Sequence, residues 1–240
     1  MKTHAFLTQF IAVFILSVMP TGVALGQVPR HGIQEFNQSG TFEVPAGVSH
    51  IVVELWGAGG GGGGGASAGV GLGPNGGGGG GGSGAYIRAS LAVVEGETYV
   101  ITIGAAGRGG TGELKDVATE GANGGDSSIR SGQRIFLVAK GGQGGRAAAY
   151  SNVRGGRAGA GGIGTPAPWM IVRSGNQGSD GQMGGTPEGN STPGGEGGPA
   201  IAGTFAPSSL FGGSGGTGGT FGDGGGRGAD GGPGLAMIVW

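Results

Sequence analysis

The sequence predicts an all-β chain in which short strands alternate with packed polyglycine II helices. Three observations carry that expectation. Short segments alternate apolar and polar residues with a period of two, glycine recurs between them with a period of three, and no segment shows a helical period. Composition alone is ambiguous, because 69 glycines and 11 prolines among 240 residues also suit a low-complexity linker.

The first element is "MKTHAFLTQFIAVFILSVMPTGVALG", with a basic start at Lys2, an apolar run from Ile11 to Val18, a breaker at Pro20 and small residues Ala24 and Gly26. This reads as a signal peptide over residues 1–26, cleaved after Gly26. The apolar run is short for a permanent anchor, which is the alternative reading. Residues 27–240 are then expected to form one glycine-rich domain, secreted or at the cell surface or in the periplasm, with no membrane span. The chain has 0 cysteines, so a disulfide scaffold, thiolate metal sites and a thiol-linked lipid anchor are excluded.

The strands come next. Phe42 and Val44 alternate with Thr41 and Glu43, and Ile51, Val53 and Leu55 alternate with Val52, Glu54 and Trp56. A type I turn over "VPAG", with Pro45 second and Gly47 fourth, would make these two strands hairpin neighbours. In "AYIRASLAVVEGETYVITIG", Ile87, Ala89, Leu91 and Val93 share one face and Tyr86, Arg88 and Ser90 the other; a turn at "EGE" leads to Tyr99, Ile101 and Ile103. "RIFLVAK" and "GLAMIVW" bring the set to about six strands.

The glycine tracts have their own phase. Every third residue from Gly213 to Gly234 is glycine, and Gly175, Gly178, Gly181 and Gly184 and then Gly156, Gly159 and Gly162 form two further registers. Polyproline II geometry has three residues per turn, so such spacing bares one face of the helix for close approach of neighbouring backbones. Glycine loses the most backbone entropy on ordering, so the tracts need side-by-side packing and an anchor with a hydrophobic core. From Gly213 to Gly234 a straight tract would span roughly 65 Å at about 3.1 Å per residue, far beyond a radius of gyration of about 17 Å. It is expected to turn back near Phe221. The runs Gly59 to Gly65 and Gly76 to Gly82 are expected as antiparallel rods, with Trp56 plugging their base and Ala66 to Asn75 looping at the far end.

"GTFEVPAGVSHIVVELWGAGGGGG", "GSGAYIRASLAVVEGETYVITIGAAGRGG", "GDSSI" followed by "LVAKGGQGG", and "GLAMIVW" resemble the glycine-rich domain of secreted bacterial proteins and bacteriophage tail-fibre proteins. A comparable module occurs in the extracellular part of anaplastic lymphoma kinase receptors. The resemblance covers most of residues 40–145 and the final strand, and it departs between Arg146 and Phe211. It implies a jelly-roll-like β-sandwich from which polyglycine II helices extend. In the phage adhesins it implies that loops at the helix tips grip bacterial surface receptors.

Motifs for chemistry are sparse. "GGSGG" around Ser214 matches a nucleophile elbow but follows no strand and opens no helix. Neither Lys115 nor Lys140 follows a glycine as a phosphate loop requires. "GGRGAD", Gly225 to Asp230, resembles half of a calcium-binding β-roll repeat with no second copy. Asp126, Asp180, Asp223 and Asp230 are expected to bond local amides in loops. No enzyme, cofactor or metal site is expected.

Charge is unevenly spread: Ser127 to Ser179 holds Arg130, Arg134, Lys140, Arg146, Arg154, Arg157 and Arg173 with no acid. Within this block Arg146, Arg154, Arg157 and Arg173 suit anionic groups as forked donors, and Tyr150 and Trp169 offer flat faces for a sugar ring or base. These six are the candidate ligand-binding residues, and a cell-surface glycan or other anionic surface polymer is the expected partner rather than a specific nucleic acid. The alternative is that the arginines cap carbonyls and that Trp169, Met170 and Ile171 pack on the sandwich. The function expected is a non-enzymatic, adhesin-like surface-binding module recognising acidic glycans; an ice-binding protein and a matrix protein without a ligand are the competing classes.

Overall fold

The computed structural model describes residues 31–67, 76–114, 118–149, 155–163, 169–182, 194–205 and 226–240. The expected signal peptide lies outside these residues. Two antiparallel sheets pack face to face as a β-sandwich. The first holds β1 (Ile33–Phe36), β11 (Leu235–Val239), β3 (His50–Trp56), β5 (Tyr86–Ala92) and β10 (Met170–Arg173) in that spatial order. The second holds β2 (Gly40–Glu43), β6 (Thr98–Thr102), β8 (Ser127–Ser131) and β9 (Arg134–Ala139). β4 (Ala66–Ser67) and β7 (Glu113–Leu114) form a separate parallel pair. The expected alternating residues fill the core between the sheets: Phe42, Val44, Ile51, Val53, Leu55, Ile87, Ala89, Leu91, Tyr99 and Ile101 are all buried there.

The hairpin expected of the first two strands does not form. β2 pairs with β6, whereas β3 pairs with β5 and β11 in the opposite sheet. Both strands still bury their apolar residues in one core, but from opposite sides, so alternation alone could not tell a hairpin from a crossover. The turn also sits one residue later: Val48 N donates to Pro45 O, and Gly47 is third with φ 77°, the positive value a type II turn needs there. Sequence alternation also missed β1, β8 and β10. These are short segments, and β8 has a single apolar residue, Ile129, among polar neighbours.

Above the sandwich the glycine tracts form a hydrogen-bonded lattice. Successive residues of tract 57–66 donate in rotation to three neighbours: Gly59, Gly62 and Gly65 to Gly232, Ala229 and Gly226; Gly60 and Gly63 to Gly82 and Gly79; Gly61 and Gly64 to Ala122 and Thr119. Its carbonyls accept from two more tracts, Gly59 and Gly62 from Gly107 and Gly110, and Ala58, Gly61 and Gly64 from Gly142, Gly145 and Ala148. Tract 76–85 lies antiparallel beside it and bonds to tracts 140–148, 155–163, 174–182 and 194–200 as well. The two seven-glycine runs are therefore the paired centres of the bundle, and every residue from Gly57 to Ala66 and from Gly76 to Tyr86 is buried.

Glycine is needed here for space. Among the described residues positive φ is confined to Gly47, Gly96 and Gly132, all in turns, so the tracts do not use glycine's left-handed freedom. A Cβ at Gly60, Gly63 or Gly79 would instead run into the carbonyls of Gln143, Arg146 or Arg157. The outer tracts have one exposed residue in three, as at Gln143 and Arg146 or Arg157 and Ala160. Of the predicted one-in-three glycines, Gly156, Gly159 and Gly162 donate to Gly77, Gly80 and Ser83, while Gly228, Gly231 and Gly234 donate to Gly110, Gly107 and Gly104. The expected reversal near Phe221 falls outside the described residues, as do residues 68–75 of the loop expected from Ala66 to Asn75, whose first two residues instead form β4.

Candidate ligand-binding surface

The described candidate residues fall in two places. Arg146 and Arg157 are neighbours on the bundle flank, where Arg146 N donates to Arg157 O at 2.9 Å. Trp169 and Arg173 lie at opposite ends of β10, the edge strand of the first sheet, with Arg173 opposite Tyr86 where the tracts begin. Arg157 lies beside Gly79, seven residues along the tract from Tyr86, which places it roughly 20–25 Å from Arg173 along the bundle. Tyr150 and Arg154 lie outside the described residues.

The basic block is also diluted in space. Arg146 Nη1 pairs with Glu120 Oε1 at 3.2 Å, and Lys140 Nζ reaches Asp126 Oδ2 at 2.6 Å. Asp180 accepts from Ala158 N beside Arg157. Antiparallel packing thus sets the acidic residues of tract 118–126 and Asp180 against the basic stretch. Of the four aspartates expected to bond local amides, Asp223 lies outside the described residues and three bond distant ones: Asp126 takes Gly141 N, Asp180 Ala158 N and Asp230 Gly109 N. They cap the backbone of an adjacent tract where no carbonyl is offered. Asp230 also pairs with Arg227, so the described part of "GGRGAD" serves the lattice.

Trp169 is 52% exposed and Ile171 50%, whereas Met170 and Val172 of the same strand pack on the core. Residues alternate along β10 as β geometry demands, so Trp169 and Ile171 share the outer face of the sheet. The packing alternative therefore describes Met170 and leaves Trp169 and Ile171 outside.

On that outer face lies a constellation built from the residues that alternate with the core positions of β3 and β5. Glu54, in mid-β3, is fully buried. Its carboxylate accepts from Tyr86 Oη at 2.8 Å, Thr204 N at 2.8 Å and Phe205 N at 3.1 Å, with Arg88 Nε 3.6 Å away. Trp56 Nε1 donates to Ile201 O at 2.8 Å, and the Arg88 guanidinium lies 5.2 Å from the Phe205 ring centroid. The segment Ile201–Phe205 is thereby strapped across Trp56, Tyr86, Leu235 and Met237, a second apolar cluster outside the sandwich core. Burial, then the hydrogen bond to Glu54, pushes the Tyr86 hydroxyl up to about 12. The signal in the sequence was the mixture of Glu54 and Arg88 with Trp56 and Tyr86 on one face. Its meaning depended on a strap some 150 residues away.

This sandwich, with glycine tracts emerging from strand ends, matches a known family model along nearly all of the described chain. A model described as a glycine-rich domain covers residues 35–240. The chain belongs to the glycine-rich domain family. The match runs through residues 146–211, where the motif resemblance departs, so the glycine-rich domain includes the tracts carrying Arg146 and Arg157. A comparison with curated proteins finds no match. Among the described residues of this glycine-rich domain, no helix is long and apolar enough to cross a membrane, and no three His, Cys, Asp or Glu gather as metal ligands.

Proposed function

We propose that this glycine-rich domain is a secreted, non-enzymatic surface-binding module of adhesin type that engages acidic glycans. In this reading the tracts are left-handed polyglycine II helices, and they serve as a stiff scaffold that lowers the ordering cost of binding. The observation that carries it is the threefold rotation of hydrogen-bond partners along tract 57–66, which ties five neighbouring tracts to one rod and anchors all of them on the sandwich. A flexible linker or loose matrix filler has no use for that phase. The outward positions of tract 140–148, Lys140, Gln143, Arg146 and Ala149, are mixed in size and charge. This favours recognition over an ice-binding face, which calls for small uniform side chains.

The test is binding of the purified full chain to immobilised acidic and neutral polysaccharides across a salt series. Salt-sensitive retention on the acidic polymers is expected. An ordered protein that ignores every polysaccharide would overturn the reading, and thermal hysteresis in the same preparation would replace it with ice binding.

A further inference from the structure

The two outer faces of the sandwich differ in character. The second sheet presents Thr41, Glu43, Thr98, Thr102 and Arg130 outward, with Val100 and the exposed Ile135 set singly among them. On the first sheet the register places Ile33 of β1, Val239 of β11, Val52 of β3 and Ser90 of β5 in one cross-strand row, and the Met170–Ala89 pairing extends it to Trp169. The next row runs Glu35, Met237, Glu54, Arg88, Ile171. The Ile201–Phe205 strap covers the part of this face nearest the tracts. Beyond the strap Trp169 and Ile171 stand half exposed. An open groove of about 330 Å³ runs there, lined by Val52, Arg88, Ser90, Trp169 and Ile171.

Among the described residues Arg88 is the only charged one lining that groove. Its guanidinium is fixed from below by the Glu54 carboxylate and from the strap side by the Phe205 ring. It nevertheless makes no hydrogen bond among the described residues, and its Nε is buried without a partner. With Nε turned to Glu54, the two Nη groups of this part-exposed side chain are the donors left for a ligand, and a carboxylate or sulfate takes two parallel N–H bonds from such a planar fork. Trp169 supplies a flat ring along the same groove, the surface on which the C–H face of a pyranose stacks, and Ser90 adds a hydroxyl that both donates and accepts. The volume falls at the lower end of the range for small-ligand clefts, about 300–1,000 Å³, which suits one or two sugar rings better than a protein partner.

We propose that this groove is a subsite for an acidic saccharide: Arg88 binds the sugar's carboxylate or sulfate, Trp169 stacks on the ring and Ser90 bonds a ring hydroxyl. The proposal rests on the acidic-glycan reading above and gives it an address on the sheet. Among the described residues Arg88 is the single cation lining the groove, whereas a nucleic acid strand would seek repeated phosphate contacts.

The experiment titrates the full chain with tetragalacturonate and a heparin tetrasaccharide, with maltotetraose and a thymidine oligonucleotide for comparison, read by calorimetry and tryptophan fluorescence. Trp169 is the one half-exposed tryptophan, since Trp56 is buried and Trp240 packs on the core, so its emission should report occupancy. At least one acidic probe is expected to bind and shift that emission; Arg88→Gln and Trp169→Ala each weaken it tenfold or more. Arg130→Gln, on the opposite sheet, binds as the unmodified chain does. Because Arg88 also faces buried Glu54, Trp169→Ala at an exposed position stands as the decisive variant if Arg88→Gln fails to fold. Acidic-saccharide binding that survives Trp169→Ala unchanged overturns the groove and leaves the surface-binding reading intact. No acidic-saccharide binding by the unmodified chain overturns both, and binding of the oligonucleotide alone overturns both in favour of nucleic acid.

Discussion

Replacing Gly80 by alanine tests whether the tracts are ordered by space-filling of bare backbone. Gly80 lies in the second central run, donates to Ser179 O and accepts from Gly159 N. A Cβ at this position would run into the Glu196 carbonyl, which is backbone and has no rotamer by which to retreat. Tract 194–200 must therefore move outward. Three backbone hydrogen bonds hold it at that level: Gly195 N to Gly78 O, Gly198 N to Gly81 O, and Ser179 N to Glu196 O. At about 0.5–1.5 kcal/mol each, their loss costs roughly 1.5–4.5 kcal/mol. Alanine gives back only about 0.4–1 kcal/mol by restricting the unfolded chain. The net loss, about 0.5–4 kcal/mol, compares with a typical domain stability of about 5–15 kcal/mol. Chemical denaturation of the full chain measures it, and amide hydrogen exchange should show loss of protection at Gly195 and Gly198 first. Gln143→Ala, at an exposed third position of an outer tract, should change stability by no more than about 0.5 kcal/mol. Equal stability of Gly80→Ala and the unmodified chain would refute the close-packed lattice.

Three further outcomes follow from other parts of the molecule. Glu54→Ala strands Tyr86 Oη, Thr204 N, Phe205 N and Arg88, and should cost about 3–5 kcal/mol in urea unfolding, with a shift in tryptophan emission as the strap leaves Trp56. Tyr99, like Tyr86, is raised to about 12 from 10.0 by burial and then by its hydrogen bond to a carboxylate, here Glu97. A raised folded value means stability that is complete below pH 10 and is lost as pH climbs toward 12, measurable by phenolate absorbance alongside unfolding at each pH. Arg146→Gln breaks a pair whose partners are both more than half exposed, so denaturation should shift by less than about 1 kcal/mol and by less still in high salt.

How much of this was legible in the sequence depended on the range of the interaction concerned. The core faces of β3, β5 and β6 were readable because period-two alternation is a local property, and Ile51, Val53, Leu55, Ile87, Ala89, Leu91, Tyr99 and Ile101 are all buried. The phase of the tracts was readable for the same reason, at period three. Strand partners were not: whether Phe42 and Val44 meet Ile51 as a hairpin or across the core is decided by the path of the connection, and both give the same alternation. The site was less legible still. Trp169, read either as a stacking face or as packing on the sandwich, stands half exposed, whereas Arg88 was placed only on a strand face, because the strap at Thr204 and Phe205 could not be foreseen from β5. The charge block misled, since tract 118–126 supplies Glu120 and Asp126 to its arginine and lysine from outside the block.

The lattice also explains why glycine content varies from tract to tract. A rod of threefold period exposes three rows of residues, and each row that meets a neighbouring backbone has no room for a Cβ. Tract 57–66 is enclosed on all three rows and has glycine at every position from Gly59 to Gly65. Tract 140–148 keeps one row in solvent and reads Gly141, Gly142, Gln143, Gly144, Gly145, Arg146, with exposure at Gln143 and Arg146. Tract 174–182 lies farther out, exposes two rows, and keeps glycine only at Gly175, Gly178 and Gly181, each of which donates to tract 155–163. The number of glycines per three residues therefore counts the rows in contact, and a tract's depth in the bundle can be read from its sequence. Side chains, and with them any chemistry, are permitted only on the remaining rows, at strand faces and at tract ends. The groove lined by Trp169 and Arg88 is one such strand face.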